Sequence, residues 1–348
     1  PTPLGSDNEP DLSYIKGSSE VISKNLQKGQ FVILESTTYP GTTEEVVLPI
    51  LEKSGMKAGT DFGLAYSPER IDPGNSKFNV KNTPKVVGGL NRECTEIASR
   101  LYKHIISEIV QVRDTRTAEA VKITENIFRN VNIALVNELA LIFEKMGINT
   151  WEVIDAASTK PYGFMPFYPG PGIGGHCIPL DPFYMSYKAK KYGFMPKFIE
   201  ASGEVNNYMK MHVINLAENG LKRVNKQLYG SIIAVLGLSY KKNIDDTRES
   251  PAIKIIEELI NLGANVRVYD PYSKSIQTKN GRYISESNLE TTLKNADCAI
   301  FVVDHDVFRE LDIKYLKNLM ASPVLVDCKN IFNKSDNAIY MGIGKNNS

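Results

Sequence analysis

Short apolar runs alternate with helical patterns in two separate parts of the chain, and this alternation constrains the fold more than any other feature. Helical patterns cover 43–54 and 91–104 in the first part, and in the second part Ser250 and Pro251 suit the start of another helix. Strands that alternate with helices predict an α/β protein with doubly wound parallel sheets. The predicted strands lie at 31–34, 63–66, 85–88, 109–112, 231–236, 265–269, 299–303 and 324–327.

One long helical pattern without glycine or proline separates the two parts and covers residues 116–146. Polar side chains interrupt its apolar surface: Lys122 and Asn126 are four residues apart, and Asn130 and Asn137 follow on similar spacings. Spacings of three and four place helical residues on one face. Two interpretations fit this pattern equally, namely hydrogen bonds inside an all-helical core or one wall of a polar pocket. Further helices are predicted over 150–158, 182–192 and 203–225.

The segment Tyr168–Pro182 is dense in glycine and proline around a single cysteine. Neither a helix nor a central strand accommodates that density, so the sequence predicts a loop. Glycine permits a close approach of the backbone to another group. Cys177 lies four residues before Asp181, and a thiol in a tight polar loop is a candidate nucleophile. The alternative is a surface loop with an incidental cysteine, but a plain connection does not need both stiff prolines and freely turning glycines.

Composition narrows the class of protein. The 348 residues carry 41 Lys and Arg against 40 Asp and Glu, a net charge of +1, which does not suggest a nucleic-acid or membrane surface. No apolar run reaches the roughly 18 residues of a membrane-spanning helix. The four cysteines are far apart and form no C-x-x-C pair, which argues against a zinc site and a disulfide scaffold. A reduced, cytoplasmic setting is the expectation.

The second α/β part begins with a strand whose first turn is cationic. Gly237 opens this turn without the full glycine fingerprint of a dinucleotide site, while Lys241, Lys242 and Arg248 follow the strand end. Ligands of open α/β sheets bind at the carboxyl ends of the strands. A phosphate ligand is one interpretation, and solvated surface lysines are the other.

Three segments resemble one family, the nucleotide-sugar 6-dehydrogenases of the UDP-glucose/GDP-mannose dehydrogenase superfamily. They are Gly172–Asp181, Ser67–Arg70 and Lys241–Ser250, and they follow in the order of that family: NAD domain, central helix, UDP-sugar domain. The family's first βαβ unit, with its G-x-G-x-x-G turn, has no counterpart here. The resemblance therefore predicts two Rossmann-like parallel-sheet domains joined by a long central helix and helical segment, the first domain truncated at its N-terminus.

The predicted divisions follow from the same resemblance. They are a partial NAD-binding Rossmann domain over 1–114, a central helical dimerisation and catalytic domain over 115–226, a UDP-sugar-binding Rossmann-like domain over 227–333 and a polar, frayed tail over 334–348. Within the superfamily, the segment around Cys177 looks most like enzymes acting on UDP-N-acetylglucosamine, with UDP-N-acetylmannosamine enzymes close behind. UDP-glucose and GDP-mannose enzymes usually carry a lysine where this chain has Leu180.

The resemblance also assigns catalytic roles. The family oxidises C6 of the sugar to a carboxylate by two hydride transfers to NAD⁺, with Cys177 as the nucleophile that forms a thiohemiacetal and then a thioester. Lys122 and Asn126 would stabilise the oxygen that becomes negative. Glu69 would act as acid/base in hydrolysis of the thioester, and Asp181 would orient or activate the water.

Binding roles follow in the same way. Ser36, Thr37 and Arg248 match positions that contact NAD. The remaining matches face the UDP-sugar, and homodimers or higher oligomers would form through the central helix. Two alternatives stay open: a UDP-glucose 6-dehydrogenase, and a UDP-sugar-binding fragment without redox activity. The residues matched to the UDP-sugar are Tyr168, Gly172, His176, Lys241 and Lys329, the last standing where arginine is frequent.

Overall fold

A computed structural model describes residues 2–3, 5, 9–71, 77–175, 177–332 and 338–347, with Cys177 described by its backbone alone. The contacts between Cα atoms divide the chain into two compact units. The first comprises residues 1–129 with 180–200, and the second comprises residues 130–179 with 201–348.

A four-stranded sheet forms the core of the first unit, in the order β1-β2-β3-β4. Both of its faces are covered, because alternate residues of β1 pack into different apolar clusters: Val32 with Leu64, and Ile33 with Ala65. The predicted helix over 43–54 is present as a π-helical, an α-helical and a 3-10 stretch in succession. The elements are α1 (Ser13–Asn25), β1 (Phe31–Leu34), the π-helical turn Thr43–Val47, α2 (Leu48–Leu51), the 3-10 turn Glu52–Ser54, β2 (Gly63–Tyr66), β3 (Lys85–Gly89), α3 (Arg92–Lys103) and β4 (Ile109–Gln111).

One pairing in this sheet departs from the prediction of parallel strands. β1 pairs with β2 and β3 with β4 in parallel, but β2 and β3 are antiparallel, with Ala65 opposite Gly89. The antiparallel pairing brings the start of β3 to the edge of the sheet where β2 ends. Lys85, the first residue of β3, therefore lies near the residues that follow β2.

Four helices lie between the two sheets in the sequence. The long helix is confirmed with nearly its predicted bounds, and Asn149 caps the next helix by accepting the Trp151 backbone N–H at 3.2 Å. Sequence reasoning began the third helix at residue 182, whereas it begins at Cys177. The helices are α4 (Thr115–Met146), α5 (Thr150–Ser158), α6 (Cys177–Lys191) and α7 (Lys197–Lys222).

The early start of α6 has a physical reason. Pro179 lies in the first turn, where its missing N–H has no helical partner to lose. Pro182 lies deeper, and its missing N–H would have bonded to the carbonyl of Ile178. That carbonyl accepts the side-chain amide of Asn130 at 3.1 Å instead. The predicted loop over Tyr168–Pro182 is therefore wrong from residue 177 onward.

A five-stranded parallel sheet forms the core of the second unit, in the order β11-β10-β9-β5-β6. The predicted cap of the first helix after β5 is confirmed, because the Ser250 side chain accepts the Ala252 N–H and Pro251 is the first helical residue. The elements are β5 (Ile232–Leu236), α8 (Pro251–Asn261), β6 (Asn265–Tyr269), β7 (Ser275–Thr278), β8 (Gly281–Ile284), α9 (Leu289–Leu293), β9 (Cys298–Phe301), α10 (Asp306–Arg309), α11 (Ile313–Leu319), β10 (Val324–Asp327) and β11 (Ile339–Gly342).

The described residues 338–347 include a strand where sequence reasoning expected a frayed polar tail over 334–348. β11 pairs with β10 along its whole length, and Tyr340, Met341 and Ile343 are buried in the core of the second unit. The indole N–H of Trp151 donates to the carbonyl of Ile343 at 2.8 Å. The carboxyl-terminal residues are thus part of the fold of this unit.

Candidate active site

The first unit contains a buried polar pair that joins α4 to α6. The side-chain amide of Asn126 donates to Asp181 at 2.5 Å, and both residues are nearly inaccessible to solvent. Lys122 lies one turn before Asn126 on α4 and is half-buried. Burial raises the pKa of Asp181 to about 7, against the opposing effects of the Asn126 hydrogen bond and the Lys122 charge. The structure thus brings together three of the predicted catalytic residues.

Glu69 follows the end of β2 in the turn Ser67–Arg70. Its Oε1 accepts the backbone N–H groups of Arg70 and Ile71, both at 2.7 Å, and its side chain is 53% exposed. The Ser67 hydroxyl anchors the start of the turn by donating to the carbonyl of Val86 at 2.8 Å. The carboxylate is therefore fixed at one oxygen and reachable by water at the other.

Two of the three residues predicted to contact NAD, Ser36 and Thr37, follow the carboxyl end of β1. Ser36 and Thr37 are half-buried, and within the described part of the chain neither hydroxyl group has a hydrogen-bond partner. The backbone around them is fixed, since the Thr37 carbonyl accepts the Thr2 hydroxyl at 2.8 Å and the Ser36 carbonyl accepts the Tyr66 hydroxyl at 3.3 Å. Two open hydroxyl groups on a rigid strand end fit a dinucleotide, which binds at this edge of a parallel sheet.

Cys177 is the first residue of α6. Its side chain and the whole of His176 lie outside the described residues. The backbone of Cys177 lies at the amino-terminal end of a helix, which carries partial positive charge. Positions 177 and 181 are one helical turn apart.

Two asparagines of α4 hold the segment before Cys177. Asn137 accepts the Gly170 N–H at 2.9 Å and donates to Asn206 of α7 at 3.0 Å. Asn130, besides its bond to Ile178, accepts the Ser202 hydroxyl at 2.7 Å. For these two amides the interhelical interpretation is correct, and Asn126 likewise bonds between helices, to Asp181 of α6. The alternative, that Lys122 and Asn126 line a polar pocket, stays a prediction.

The glycines of the segment allow it to pass close to other parts of the second unit. Gly172 has φ +112°, and a Cβ there would lie 2.9 Å from the carbonyl oxygen of Asn206. Gly175 has φ +82° and lies against the Tyr240 ring, and its N–H donates to the Arg248 carbonyl at 3.3 Å. The predicted close approach is therefore made to the protein itself. Tyr168, also predicted to bind the sugar nucleotide, stacks on Trp151 with ring centroids 5.3 Å apart.

A buried histidine organises the cationic turn after β5. His305 Nδ1 accepts the Asn243 N–H at 2.9 Å, and its Nε2 lies 3.1 Å from Asp270. Asp270 also accepts the backbone N–H groups of Leu238 and Ser239 at 2.6 and 3.0 Å. Burial opposes ionisation of Asp270, but its hydrogen bonds, first that to His305, lower its pKa to about 2. These contacts fix both sides of Lys241.

The other two predicted binding residues of the second unit have distinct surroundings. Arg248 is exposed and forms a bidentate pair with Asp246, whose closest N–O distance is 2.6 Å. Lys329 lies against Gly170, where an added Cβ would be 2.6 Å from its Nζ. Asp327 supports the Lys329 backbone N–H at 3.0 Å and accepts the Tyr340 hydroxyl at 2.9 Å. Burial lowers the pKa of Lys329.

Comparison with known proteins identifies the family. Sequence models of the UDP-glucose/GDP-mannose dehydrogenase family match three stretches: the NAD binding domain over residues 1–106, the central domain over 116–208 and the UDP binding domain over 234–334. The chain is 38% identical over 342 residues to UDP-N-acetyl-D-glucosamine 6-dehydrogenase of Pseudomonas aeruginosa, an alignment that covers 97% of this chain and 80% of the relative. The chain belongs to the UDP-glucose/GDP-mannose dehydrogenase family.

Two further similarities agree with this. Protein CapL of Staphylococcus aureus is 38% identical, with 97% of this chain and 79% of the relative covered. The solved structure of UDP-D-ManNAc dehydrogenase from Pyrococcus horikoshii superposes with a TM-score of 0.92 at 35% identity, covering 100% of this chain and 80% of that one. This family member is thus an NAD-dependent nucleotide-sugar dehydrogenase. The NAD binding domain is present, and the prediction that the chain begins inside it stays a prediction. No helix among the described residues is long and apolar enough to cross a membrane.

Sequence reasoning missed several residues around the site. It assigned no role to Lys85, which is buried beside Glu69, or to His305, which supports the turn of Lys241. It also passed over Glu119 of α4, which accepts the N–H groups of Gly41 and Thr43 at 2.5 and 2.8 Å. The only signal available was the position of Lys85 and His305 beside predicted strand ends.

The high pKa of Asp181 predicts how stability depends on pH. Because the folded state favours protonated Asp181, its contribution to stability is present below about pH 4 and is lost as pH rises through about 7. Between pH 5 and pH 8 the effect is on the order of 3 kcal/mol. Burial also raises the pKa of Glu119 to about 7, so Glu119 makes the free energy of unfolding fall with rising pH in the same way. We expect Asp181→Asn to show a smaller fall in Tm between pH 5 and pH 8 than the wild-type protein, by several degrees. Parallel curves would contradict the assignment.

Proposed function

We propose that this dehydrogenase oxidises C6 of a UDP-N-acetylhexosamine, UDP-N-acetylglucosamine or UDP-N-acetylmannosamine, to the uronic acid. The balanced reaction is R–CH₂OH + 2 NAD⁺ + H₂O → R–COO⁻ + 2 NADH + 3 H⁺. The observation that carries the proposal is the buried Asn126–Asp181 pair beside Lys122, because it supplies a cation, an amide donor and a proton acceptor at one place. The named substrates of the relatives from Pseudomonas and Pyrococcus support the choice of sugar.

Ser36 and Thr37 would hold NAD, and Arg248 is proposed as a phosphate contact. When bound, NAD⁺ accepts the hydride that leaves C6. The open hydroxyl groups of Ser36 and Thr37 can donate to or accept from it without breaking an existing hydrogen bond.

Cys177 is proposed as the nucleophile of the second oxidation. The aldehyde at C6 cannot release its hydrogen as hydride until a nucleophile has added to the carbonyl carbon. The thiolate would form a C–S bond to C6, giving a thiohemiacetal, and loss of hydride from that carbon leaves a thioester. Residue 177 is the first residue of α6, and the amino-terminal end of a helix carries partial positive charge.

Lys122 and Asn126 are proposed to stabilise the C6 oxygen when it carries negative charge. A cation and an amide that are already desolvated and fixed require no reorganisation as that charge develops. Asn126 is fixed by Asp181, and Lys122 lies one turn earlier on α4, where it is half-buried.

Hydrolysis of the thioester requires a base for the attacking water. Glu69 is the candidate, since one of its oxygens is held by two backbone N–H groups and about half of its side chain is exposed. Water adds to the carbonyl carbon and gives a proton to Glu69, the C–S bond breaks, and the sulfur leaves as thiolate. Asp181, with a pKa of about 7, is proposed to orient this water.

The second unit is proposed to hold the UDP-sugar. Lys241 and Lys329 would bind its phosphates and hydroxyl groups, while Gly172, Tyr168 and His176 belong to the segment beside the sugar. The fixed backbone on both sides of Lys241 and the Asp327 support of Lys329 favour a preorganised site.

We also propose a cytoplasmic homodimer or higher oligomer, with the central helix at its interface. Phe128, Leu135 and Ile142 recur every seven residues on α4 and are 48%, 52% and 44% exposed. Seven residues complete nearly two turns, so these side chains form one exposed apolar stripe. The predicted domain limits, 1–114, 115–226 and 227–333, are kept as part of the proposal.

The test is NADH formation by the purified chain with UDP-N-acetylglucosamine, UDP-N-acetylmannosamine and UDP-glucose. We expect two NADH per uronic acid. We also expect kcat/KM to be at least tenfold higher for one of the two UDP-N-acetylhexosamines than for UDP-glucose. A preference for UDP-glucose would favour the first alternative. UDP-sugar binding without NADH formation would favour the second, a binding protein without redox activity.

A further inference from the structure

A cleft of about 140 Å³ in the first unit adjoins Glu69 and contains a lysine to which no role has been assigned. Lys85 begins β3, and its side chain is 8% exposed. Its Nζ lies 3.0 Å from Glu35, 3.8 Å from Glu69 and 3.5 Å from the carbonyl oxygen of Pro68. One ammonium group therefore contacts the end of β1 and the turn after β2.

A tyrosine of α3 completes this cluster. The Tyr102 ring lies under the Lys85 ammonium group at 4.8 Å, and its hydroxyl donates to Glu35 at 2.7 Å. Burial raises the pKa of Glu35, but the hydrogen bonds from Tyr102 and Lys85 outweigh burial, so this pKa lies below its usual value. The lowered pKa favours the carboxylate form of Glu35, which pairs with the lysine at 3.0 Å.

Burying an ammonium group is costly unless it is paired and hydrogen-bonded. A role in stability alone would be served by the closer pair with Glu35. The contacts of Lys85 with the Pro68 carbonyl and the Glu69 carboxylate extend beyond that pair to the turn that carries the proposed base. The antiparallel pairing of β2 and β3 is what places the lysine there.

We propose that Lys85 is a positioning residue that holds Glu69 in place for hydrolysis of the thioester. The inference rests on the proposed function, in which Glu69 takes the proton of the attacking water. Lys85 does not touch the reacting atoms. Its charge draws the exposed Glu69 oxygen toward the cleft, and its hydrogen bond to Pro68 fixes the turn. Without it, Glu35 and Glu69 would be two carboxylates at one cleft with no cation between them.

The test separates oxidation from hydrolysis. In Lys85→Met and Lys85→Gln, both hydride transfers proceed and hydrolysis slows, so rapid-mixing measurements show a fast phase of two NADH per subunit followed by slow turnover. We expect kcat to fall about 10- to 100-fold, the range in which small displacements of a reacting group act. Mass spectrometry of the quenched protein shows the sugar acyl group on Cys177. Lys85→Arg restores most of the activity and removes the fast phase.

Lys81→Met is the matched control, because Lys81 is exposed four residues earlier, and it behaves as the wild-type protein. If Lys85→Met and Lys85→Gln slow the fast phase and the steady state equally, without acylated Cys177, the lysine is merely structural and the inference is wrong. Glu69→Gln separates a failure of the proposed role of Glu69 from a failure of the role of Lys85. If Glu69→Gln itself accumulates no acylated protein, the proposed role of Glu69 fails; if it does and neither Lys85 variant does, only the role of Lys85 fails.

Discussion

Replacing Cys177 with serine stops the reaction before the acid is released. A serine hydroxyl at the start of α6 has no base assigned to remove its proton and is far less ionised than a thiol, so no covalent adduct forms at the aldehyde stage. Oxidation of the alcohol can still produce one NADH per sugar, but the second NADH and the uronic acid do not follow. We expect acid formation to fall on the order of 10³-fold or more. Separate measurement of NADH and of uronic acid by chromatography checks this.

Cys94→Ser is the control for this variant. Cys94 is a buried cysteine of α3 in the first unit and has no part in the proposed chemistry. It should leave the ratio of NADH to acid at two, with at most a loss of stability. A normal yield of acid from Cys177→Ser would end the covalent mechanism.

Lys122→Met lowers the rate of oxidation with little change in the binding of the UDP-sugar. Lys122 is proposed to stabilise an oxygen whose negative charge exists only during the reaction, and removing one such group typically costs about 10²–10³ in rate. Methionine keeps the length and apolar stem of the side chain, so the packing of α4 is preserved. We expect kcat to fall by that factor while KM for the UDP-sugar changes less than about threefold.

Lys145→Met provides the comparison, because Lys145 is an exposed lysine near the end of the same helix. It should retain wild-type kcat. If Lys122→Met instead raises KM and leaves kcat unchanged, the lysine contributes equally to substrate and transition-state binding, and its role at the charged oxygen is wrong.

The parts of the fold that could be predicted are those specified by local patterns. The helix over Thr115–Met146 carries a broad apolar surface and no breaker, and the strand over Val324–Asp327 is a short β-branched run, so periodicity and composition were sufficient. Ser250 and Pro251 at the start of α8 are a local signal of the same kind.

The parts that could not be predicted depend on partners distant in sequence. The start of α6 requires Asn130 to take over the carbonyl that Pro182 leaves without a helical N–H. The antiparallel pairing of β3 is a relation between strands, which the apolar run itself does not encode. β11 is only four residues long and follows a polar stretch, so its strand character comes from pairing with β10.

The residues of the candidate site also divide into those that the sequence identified and those that only the structure shows. The side chains of Lys122, Asn126 and Asp181 were identified through the family resemblance, and the structure adds that the last two are paired and buried. The only sequence signal at Lys85 was its position at one end of a predicted strand, and a lysine at such a position is commonly a surface residue. That Lys85 is buried is evident only in the folded structure, where its ammonium group contacts residues that follow β1 and β2 and a tyrosine of α3.

The support of Lys329 by the last strand has a practical consequence for trimmed versions of the protein. Asp327 holds the Lys329 backbone with one oxygen and, with the other, the hydroxyl of Tyr340 from β11. A chain shortened before Ile339 would leave that buried carboxylate without its phenol donor. Because Lys329 is proposed to bind the sugar nucleotide, we expect such a shortened protein to bind it more weakly than a chain that retains β11, even where it remains folded.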